Sequence, residues 1–144
     1  MQKNVQISVT GTQIENGLEA GCTQTLSFGF LEIHEEENIR ILAFDETIEG
    51  VEGPVQNTMI IQPHEVALTK EGQLSSEMIF RAGNTTLSSF TTPYGNIAME
   101  IVCTELQTWS TEKAFYTNIS YQLQNNGQLI SENQIKIKAK YIDK

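Results

Sequence analysis

Two arginines and one tyrosine are the residues in this sequence best suited to hold a small molecule. Arg40 and Arg81 are the only arginines, and each lies in an otherwise apolar segment. A planar guanidinium forms paired hydrogen bonds with a carboxylate, and these bonds are strong where water is excluded. Tyr94 offers an aromatic face and a hydroxyl in a turn at a strand end. The candidate ligand-binding residues are therefore Arg40, Arg81 and Tyr94.

Each candidate also has an ordinary structural interpretation. An arginine on an exposed strand face commonly pairs with nearby glutamates, since arginine is mostly a surface residue. Arg40 lies on the same face of its strand as Leu42 and Phe44, whereas Ile39 and Ile41 lie on the opposite face. Because both faces of that segment are apolar, alternation leaves the direction of Arg40 open. The direction in which Arg81 points is left open in the same way.

Metal binding is not favoured by the histidines. His34 precedes Glu35, Glu36 and Glu37, but neighbouring strand residues point to opposite faces, and a carboxylate-rich turn is usually solvated. Metal ligands must converge on one point. His64 stands beside a proline in a turn and has the same ordinary explanation. We expect no metal site and no cofactor.

No motif of a known catalytic mechanism is present. The acidic pairs Asp45 with Glu46 and Glu49 with Glu52 would need a fixed separation across a cleft to act as acid and base, and an acidic loop explains them better. Neither Cys22 nor Cys103 lies in a Cys-x-x-Cys pattern, and the sequence contains no Gly-x-Ser-x-Gly and no phosphate-binding glycine loop. We expect no catalytic residues.

The charge of the chain excludes some partners. The formal net charge is -9, and the sequence holds only nine lysines and arginines. Phosphate neutralisation needs clustered basic residues, so nucleic acid is not an expected partner, and anionic lipid surfaces are repelled as well. The chain shows neither a signal peptide nor a membrane-spanning apolar run, which predicts a cytoplasmic protein with two free thiols.

Strand patterns position all these side chains. Residues alternate between apolar and polar at period two in the first segment, Val5 to Thr10, and in the last, Ile135 to Tyr141. Asn16-Gly17 and Asn126-Gly127 are typical of two-residue hairpin turns. Weaker breaks fall at 35–38, 50–54, 62–64, 71–72, 83–84, 93–95 and 110–112.

Nine breaks separate about ten strands within the 144 residues, which suit one domain over 1–144. Connections this short give an antiparallel meander with little or no helix. Closure into an up-and-down barrel removes the adhesive edges that a flat sheet would expose. A β-sandwich is the competing architecture, but it needs longer crossing connections than the sequence offers.

Several local patterns resemble the YwiB-like family of uncharacterised bacterial proteins. They are Val5–Thr12, Asp45-Glu46, Gly53, Thr58–Ile61, Val66–Gly72, Glu77–Phe80, Thr92-Pro93-Tyr94-Gly95 with Met99, and the hairpin from Asn126 to Asn133. The resemblance spans nearly the whole chain. It implies a calycin-type β-barrel, akin to lipocalins and fatty-acid-binding proteins, and it implies no established activity or functional residue.

The function favoured by the sequence is a non-enzymatic barrel that binds a small, partly apolar or amphipathic molecule in its lumen. Such a lumen would be lined by aliphatic and aromatic side chains, with one arginine as a polar anchor. The alternative is a protein-interaction or scaffold barrel with a packed interior, contacting a partner through its acidic 32–52 stretch or its basic last strand. An enzyme is the least favoured class.

Overall fold

Short turns and alternating side chains fold this chain into ten consecutive strands. The computed structural model describes residues 1–47, 50–73, 75–92 and 94–142, and within these ranges every regular element is a strand. The strands are β1 (Gln2–Glu15), β2 (Leu18–His34), β3 (Ile39–Glu46), β4 (Val55–Ile61), β5 (Glu65–Glu71), β6 (Ser75–Arg81), β7 (Thr85–Thr92), β8 (Gly95–Ser110), β9 (Ala114–Asn125) and β10 (Gln128–Tyr141). None of the described segments is a helix long and apolar enough to cross a membrane.

Each strand pairs antiparallel with the next one, and β10 returns to pair with β1. The sheet is thereby a closed barrel, as predicted. Asn16 and Gly17 have φ values of 53° and 76°, and Asn126 and Gly127 have 52° and 78°. These positive values are what a two-residue type I′ turn requires, so both hairpin predictions are confirmed.

The middle of the barrel is packed with apolar side chains. Phe80 is fully buried, and its ring centroid lies 4.8 Å from that of Tyr121. Burial of apolar side chains is the largest favourable contribution to the free energy of folding. The core residues are Val5, Ile7, Leu31, Leu42, Phe44, Met59, Ile61, Val66, Leu68, Met78, Phe80, Ile101, Cys103, Phe115, Ile119, Tyr121, Ile137 and Ala139.

The two ends of the barrel differ in their connections. One end, which we call the arginine end, carries the loops 35–38, 62–64, 82–84 and 111–113. The opposite end, which we call the hairpin end, carries the turns 16–17 and 126–127 and the connections that follow β3, β5 and β7. Among the described residues the core fills the middle of the lumen, so a cavity inside the barrel lies towards one of these ends.

β2 and β8 are each longer than a neighbouring strand, so part of each lacks a partner strand on one side and the barrel wall is interrupted there. β2 pairs with β3 only from Gly29 to His34, although β2 begins at Leu18. A Cβ atom built on Gly29 would lie 2.1 Å from the carbonyl oxygen of Ala43, so only glycine permits the close approach of β2 and β3. β8 pairs with β7 only up to Val102. Cys103 still exchanges backbone hydrogen bonds with Gly83 and Asn84, and from Glu105 to Ser110 the strand pairs with β9.

Candidate functional site

The structure places Arg40 on the inner face of the barrel. Arg40 points to the same face of β3 as Leu42 and Phe44, both of which are buried in the core. Across the sheet, Arg40 is paired with Ile33 on β2 and Ile61 on β4, close to the arginine end. Sequence alternation left this direction open, and the closure of the barrel decides it.

The guanidinium of Arg40 has an incomplete set of partners. Its central carbon lies 4.9 Å from the centroid of the Phe115 ring, which indicates a cation–π contact. Its Nε atom is buried and has no hydrogen-bond partner. Within the described ranges, no carboxylate forms an ion pair with this guanidinium. A buried donor without a partner is costly, so an acceptor supplied by a bound anion would be stabilised at Nε of this half-buried arginine.

A cavity of about 490 Å³ opens beside Arg40. It lies where β8 has lost its β7 partner, so the free part of β8 forms one wall and the β3 and β4 ends form the other. Ligand pockets usually measure about 300–1,000 Å³, and this cavity falls within that range. Besides Arg40, its lining includes Asn38, Ile61, Pro63, Leu106, Thr108 and Trp109.

Thr117 adds a second unpartnered polar group near this cavity. It is fully buried, and its Oγ1 atom has no hydrogen-bond partner. Thr117 lies two residues from Phe115 on β9 and is paired across the sheet with Thr108, which lines the cavity. Sequence reasoning missed Thr117, although its inward parity with Phe115 and Ile119 was available as a signal.

An acidic loop lies beside the Arg40 cavity on one side. Glu35, Glu36 and Glu37 are exposed in the loop that immediately precedes Asn38. The two ring nitrogens of His34 lie 3.9 Å from carboxylate oxygens of Glu32 and Glu37. In the described part of the chain, no three potential ligands among His, Cys, Asp and Glu gather around one metal position. The electrostatic consequence is that polyanions are repelled more than monoanions.

Arg81 and Tyr94 do not line this cavity: Arg81 lies at the same end of the barrel but on its outer face, and Tyr94 lies at the opposite end. Arg81 is on the outer face of β6 and forms an exposed ion pair with Glu65, with Nη2 2.6 Å from the carboxylate oxygen. Tyr94 is 99% exposed in the β7–β8 connection, at the hairpin end. The turn residue Pro93 and the side chain of Thr92 lie outside what the structure describes. The three candidates therefore do not form one site.

The hairpin end contains a polar cluster that includes one sequence candidate. Lys70 Nζ and Asn57 Nδ2 lie 3.0 and 3.2 Å from the same carboxylate oxygen of Glu46. The cavity beside them measures about 190 Å³, below the usual range for a ligand pocket. Asp45, next in sequence, is exposed on the opposite face, so it does not act together with Glu46. Glu49, the partner suggested for Glu52, lies outside the described residues.

The architecture and the comparisons with known proteins together show to which class of protein this chain belongs. The chain is a closed antiparallel barrel of ten strands with a polar cavity at one end. It belongs to the family described as domain of unknown function DUF1934, whose model matches residues 7–137. No curated protein sequence matches the chain.

A solved structure with a similar fold is the ywiB protein from Bacillus subtilis. The two chains superpose with a TM-score of 0.82 at 15% sequence identity, and the match covers 99% of this chain and 94% of the other. At this identity the likeness concerns the fold alone. The resemblance inferred from the sequence is confirmed.

Proposed function

We propose that this barrel binds a small, partly apolar monocarboxylate, without catalysis, in the Arg40 cavity. The observation that carries the proposal is the inward guanidinium of Arg40, whose buried Nε has no partner beside a cavity of about 490 Å³. A carboxylate supplies two acceptor oxygens in the plane that a guanidinium requires. The bound anion also neutralises a cation that forms no ion pair with the described residues.

The lining of the cavity supports a ligand with an apolar body. Ile61, Leu106 and Trp109 provide apolar surface near the guanidinium. The acidic loop at the mouth favours a single negative charge over a phosphate, because each added charge increases the repulsion. The proposal concerns a carrier or sensor of a small metabolite in the cytoplasm, and it includes no chemical step.

The test compares carboxylates with their uncharged analogues. Octanoate, hexanoate and benzoate, and the corresponding primary amides, would be added to the purified protein while its thermal unfolding is recorded. Saturation at about 100 times the Kd adds about 2.7 kcal/mol, or roughly 5–10 °C for a chain of this size. We expect stabilisation by at least one acid and none by its amide.

Two matched variants locate the effect. Arg40→Met should abolish the stabilisation, whereas Arg81→Met should retain it, because Arg81 lies outside the barrel and is paired with Glu65. Equal stabilisation of both variants would refute the role of Arg40. Absence of stabilisation across all the acids would refute the proposal itself.

A packed scaffold barrel is the second candidate. Its support is the filled middle of the barrel, where Phe80 and Tyr121 close the lumen between the two ends. In that case no ligand of the panel would stabilise the protein, and pull-down from lysate would recover a specific protein partner. The unpaired Arg40 favours the ligand-binding proposal over this one.

A further inference from the structure

The Arg40 cavity is lined along one side by the backbone edge of β8. Its lining includes the four consecutive residues from Leu106 to Trp109. Successive side chains of a strand point to opposite faces of the sheet, so a cavity that contacts four residues in a row lies beside the edge of the strand. This edge faces away from β9, with which β8 pairs from Glu105 to Ser110.

Among the described residues, this edge has no partner beyond Cys103. β7 begins at Thr85, which is paired with Val102, and Cys103 exchanges backbone hydrogen bonds with Gly83 and Asn84. On the same side of residues 105–110, the described part of the chain forms no backbone hydrogen bond. An edge of this kind is a template for another strand, because its N–H and C=O groups point outward in a row.

The turn that joins β8 to β9 shows which backbone groups point to the open edge. Thr111 donates its N–H to the carbonyl oxygen of Ala114, 2.8 Å away. Along an antiparallel pair of strands, hydrogen-bonded and non-hydrogen-bonded residue pairs alternate. Starting from Thr111, this alternation assigns the backbone groups of residues 107 and 109 to β9. It directs those of Leu106 and Thr108 to the open edge, and both residues line the cavity.

A strand edge and an incompletely paired guanidinium in one cavity are complementary to the carboxyl end of a peptide. The peptide backbone supplies N–H and C=O groups that pair with the edge, and the terminal carboxylate supplies two acceptor oxygens for the guanidinium. Nε of Arg40 is buried without a partner in this cavity. A simple fatty acid would use the guanidinium and would leave the edge without a partner.

The remaining lining offers apolar contacts to the side chains of such a peptide. Ile61 belongs to the core, and Leu106 packs against it. On the outer face of β8, the ring of Trp109 is stacked on that of Tyr116, with centroids 5.0 Å apart and 7° between the ring planes. Side chains of an added strand alternate between these two faces. Apolar side chains therefore suit both positions.

We infer that the Arg40 cavity binds the carboxyl-terminal end of a short apolar peptide, which adds a strand to the open edge of β8. The inference rests on the proposed carboxylate site and specifies the class of its ligand. The lining from Leu106 to Trp109 spans about 13 Å at about 3.3 Å per residue, so about three peptide residues pair with it.

Titration of the full chain with acetylated peptides, followed by the fluorescence of Trp109, tests the inference. Trp109 is the only tryptophan and lines the cavity. Acetyl-alanyl-valyl-leucine should bind at least about 10-fold more tightly than acetyl-leucine, because the added backbone hydrogen bonds together contribute about this factor. The carboxamide of the tripeptide should lose the binding. Arg40→Met should also lose it, whereas Arg81→Met should keep it.

N-methylated peptides separate strand pairing from contacts of the side chains. In a strand paired at one edge, only every second N–H points to the partner. Methylation of the valine nitrogen and of the leucine nitrogen should therefore differ, one weakening binding at least about 10-fold and the other leaving it nearly unchanged. Hydrogen exchange of the Leu106 and Thr108 amides should slow about 100-fold at a peptide concentration of about 100 times the Kd.

The outcomes distinguish this inference from the proposed function. If acetyl-leucine binds as tightly as the tripeptide, or if both N-methylated peptides bind like the parent, the inference is overturned while the carboxylate site stands. A carboxamide that binds as tightly as the acid would also overturn it, because Arg40 would then not hold the terminus. If none of the acids binds, the proposed function fails, and the inference fails with it.

Discussion

Replacing Arg40 by methionine should make the unliganded protein more stable while removing the proposed anion site. Methionine keeps the length and much of the packing of the arginine stem, and it carries no donor. In wild type the Nε atom of Arg40 is buried without a partner. The replacement therefore removes a group that the fold does not satisfy.

The expected magnitude follows from two opposing contributions. Leaving a buried donor unsatisfied costs about 1–3 kcal/mol, and Arg40→Met recovers this cost. The substitution also removes the contact with Phe115, and a cation–π interaction of this kind contributes about 0.5–1 kcal/mol, more when it is desolvated. The net result is a rise of about 1 kcal/mol in the free energy of unfolding, or about 3 °C in Tm.

The assay is equilibrium unfolding in urea, with the m-value as a check that the denatured state is unchanged. Arg81→Met is the control. The ion pair of Arg81 with Glu65 is exposed, with 50% and 30% of the two side chains accessible, so its loss should cost between zero and about 1 kcal/mol. The two arginine variants thus differ in sign.

Destabilisation of Arg40→Met by 2 kcal/mol or more, as an order of magnitude for a lost buried interaction, would refute this reasoning. Arg40 would then be held by structural contacts in the unliganded protein. A stable variant that still responded to carboxylates would refute the binding role alone. The free energy and the ligand response therefore separate the two interpretations.

Three further predictions concern the barrel itself. Gly29→Ala should destabilise the protein by about 3 kcal/mol, because the new methyl overlaps a backbone carbonyl of β3, whereas Gly21→Ala on the same strand meets nothing within 4 Å. Phe80→Ala should cost about 3–5 kcal/mol in urea unfolding, since the ring is fully buried. Burial raises the pKa of Tyr121 to about 12, above its value of about 10 in an unfolded chain, so stability should fall as the pH rises from about 10 to about 12.

Each of these predictions has its own contradicting result. Equal stability of the Gly29 and Gly21 variants would mean that β2 and β3 do not approach as closely as described. A cost below about 1 kcal/mol for Phe80→Ala would indicate a loose core. Tyr121→Phe should remove the alkaline loss of stability attributed to the phenol. An unchanged loss in that variant would assign it to other groups.

The sequence predicted the strands well because strand formation here depends on local features. Alternation at period two marks β1, β9 and β10, and Asn-Gly pairs mark two of the turns between strands. Positive φ at Asn16 and Asn126 is a property of those residues and of the turn, and it needs no distant contact. Closure was also predictable, because ten short-linked strands otherwise leave two open edges.

The candidate site was only partly predictable for a different reason. Alternation divides a strand into two faces but does not say which face is inside when both are apolar, as on either side of Arg40. Arg40 and Arg81 have similar local sequence surroundings, yet one points into the barrel and the other pairs with Glu65 outside. The cluster of Glu46, Asn57 and Lys70 joins three strands and depends on their register.

The amino-acid sequence by itself thus determined the strand content, the tight hairpins, the acidic charge and the absence of known catalytic motifs. Tertiary structure decided which arginine faces the lumen, where β8 leaves a cavity and where β2 leaves an edge. These features arise from strand lengths and pairing register, which are set by contacts between residues far apart in the chain. Local patterns specify the elements, whereas closure of the sheet specifies their inner face.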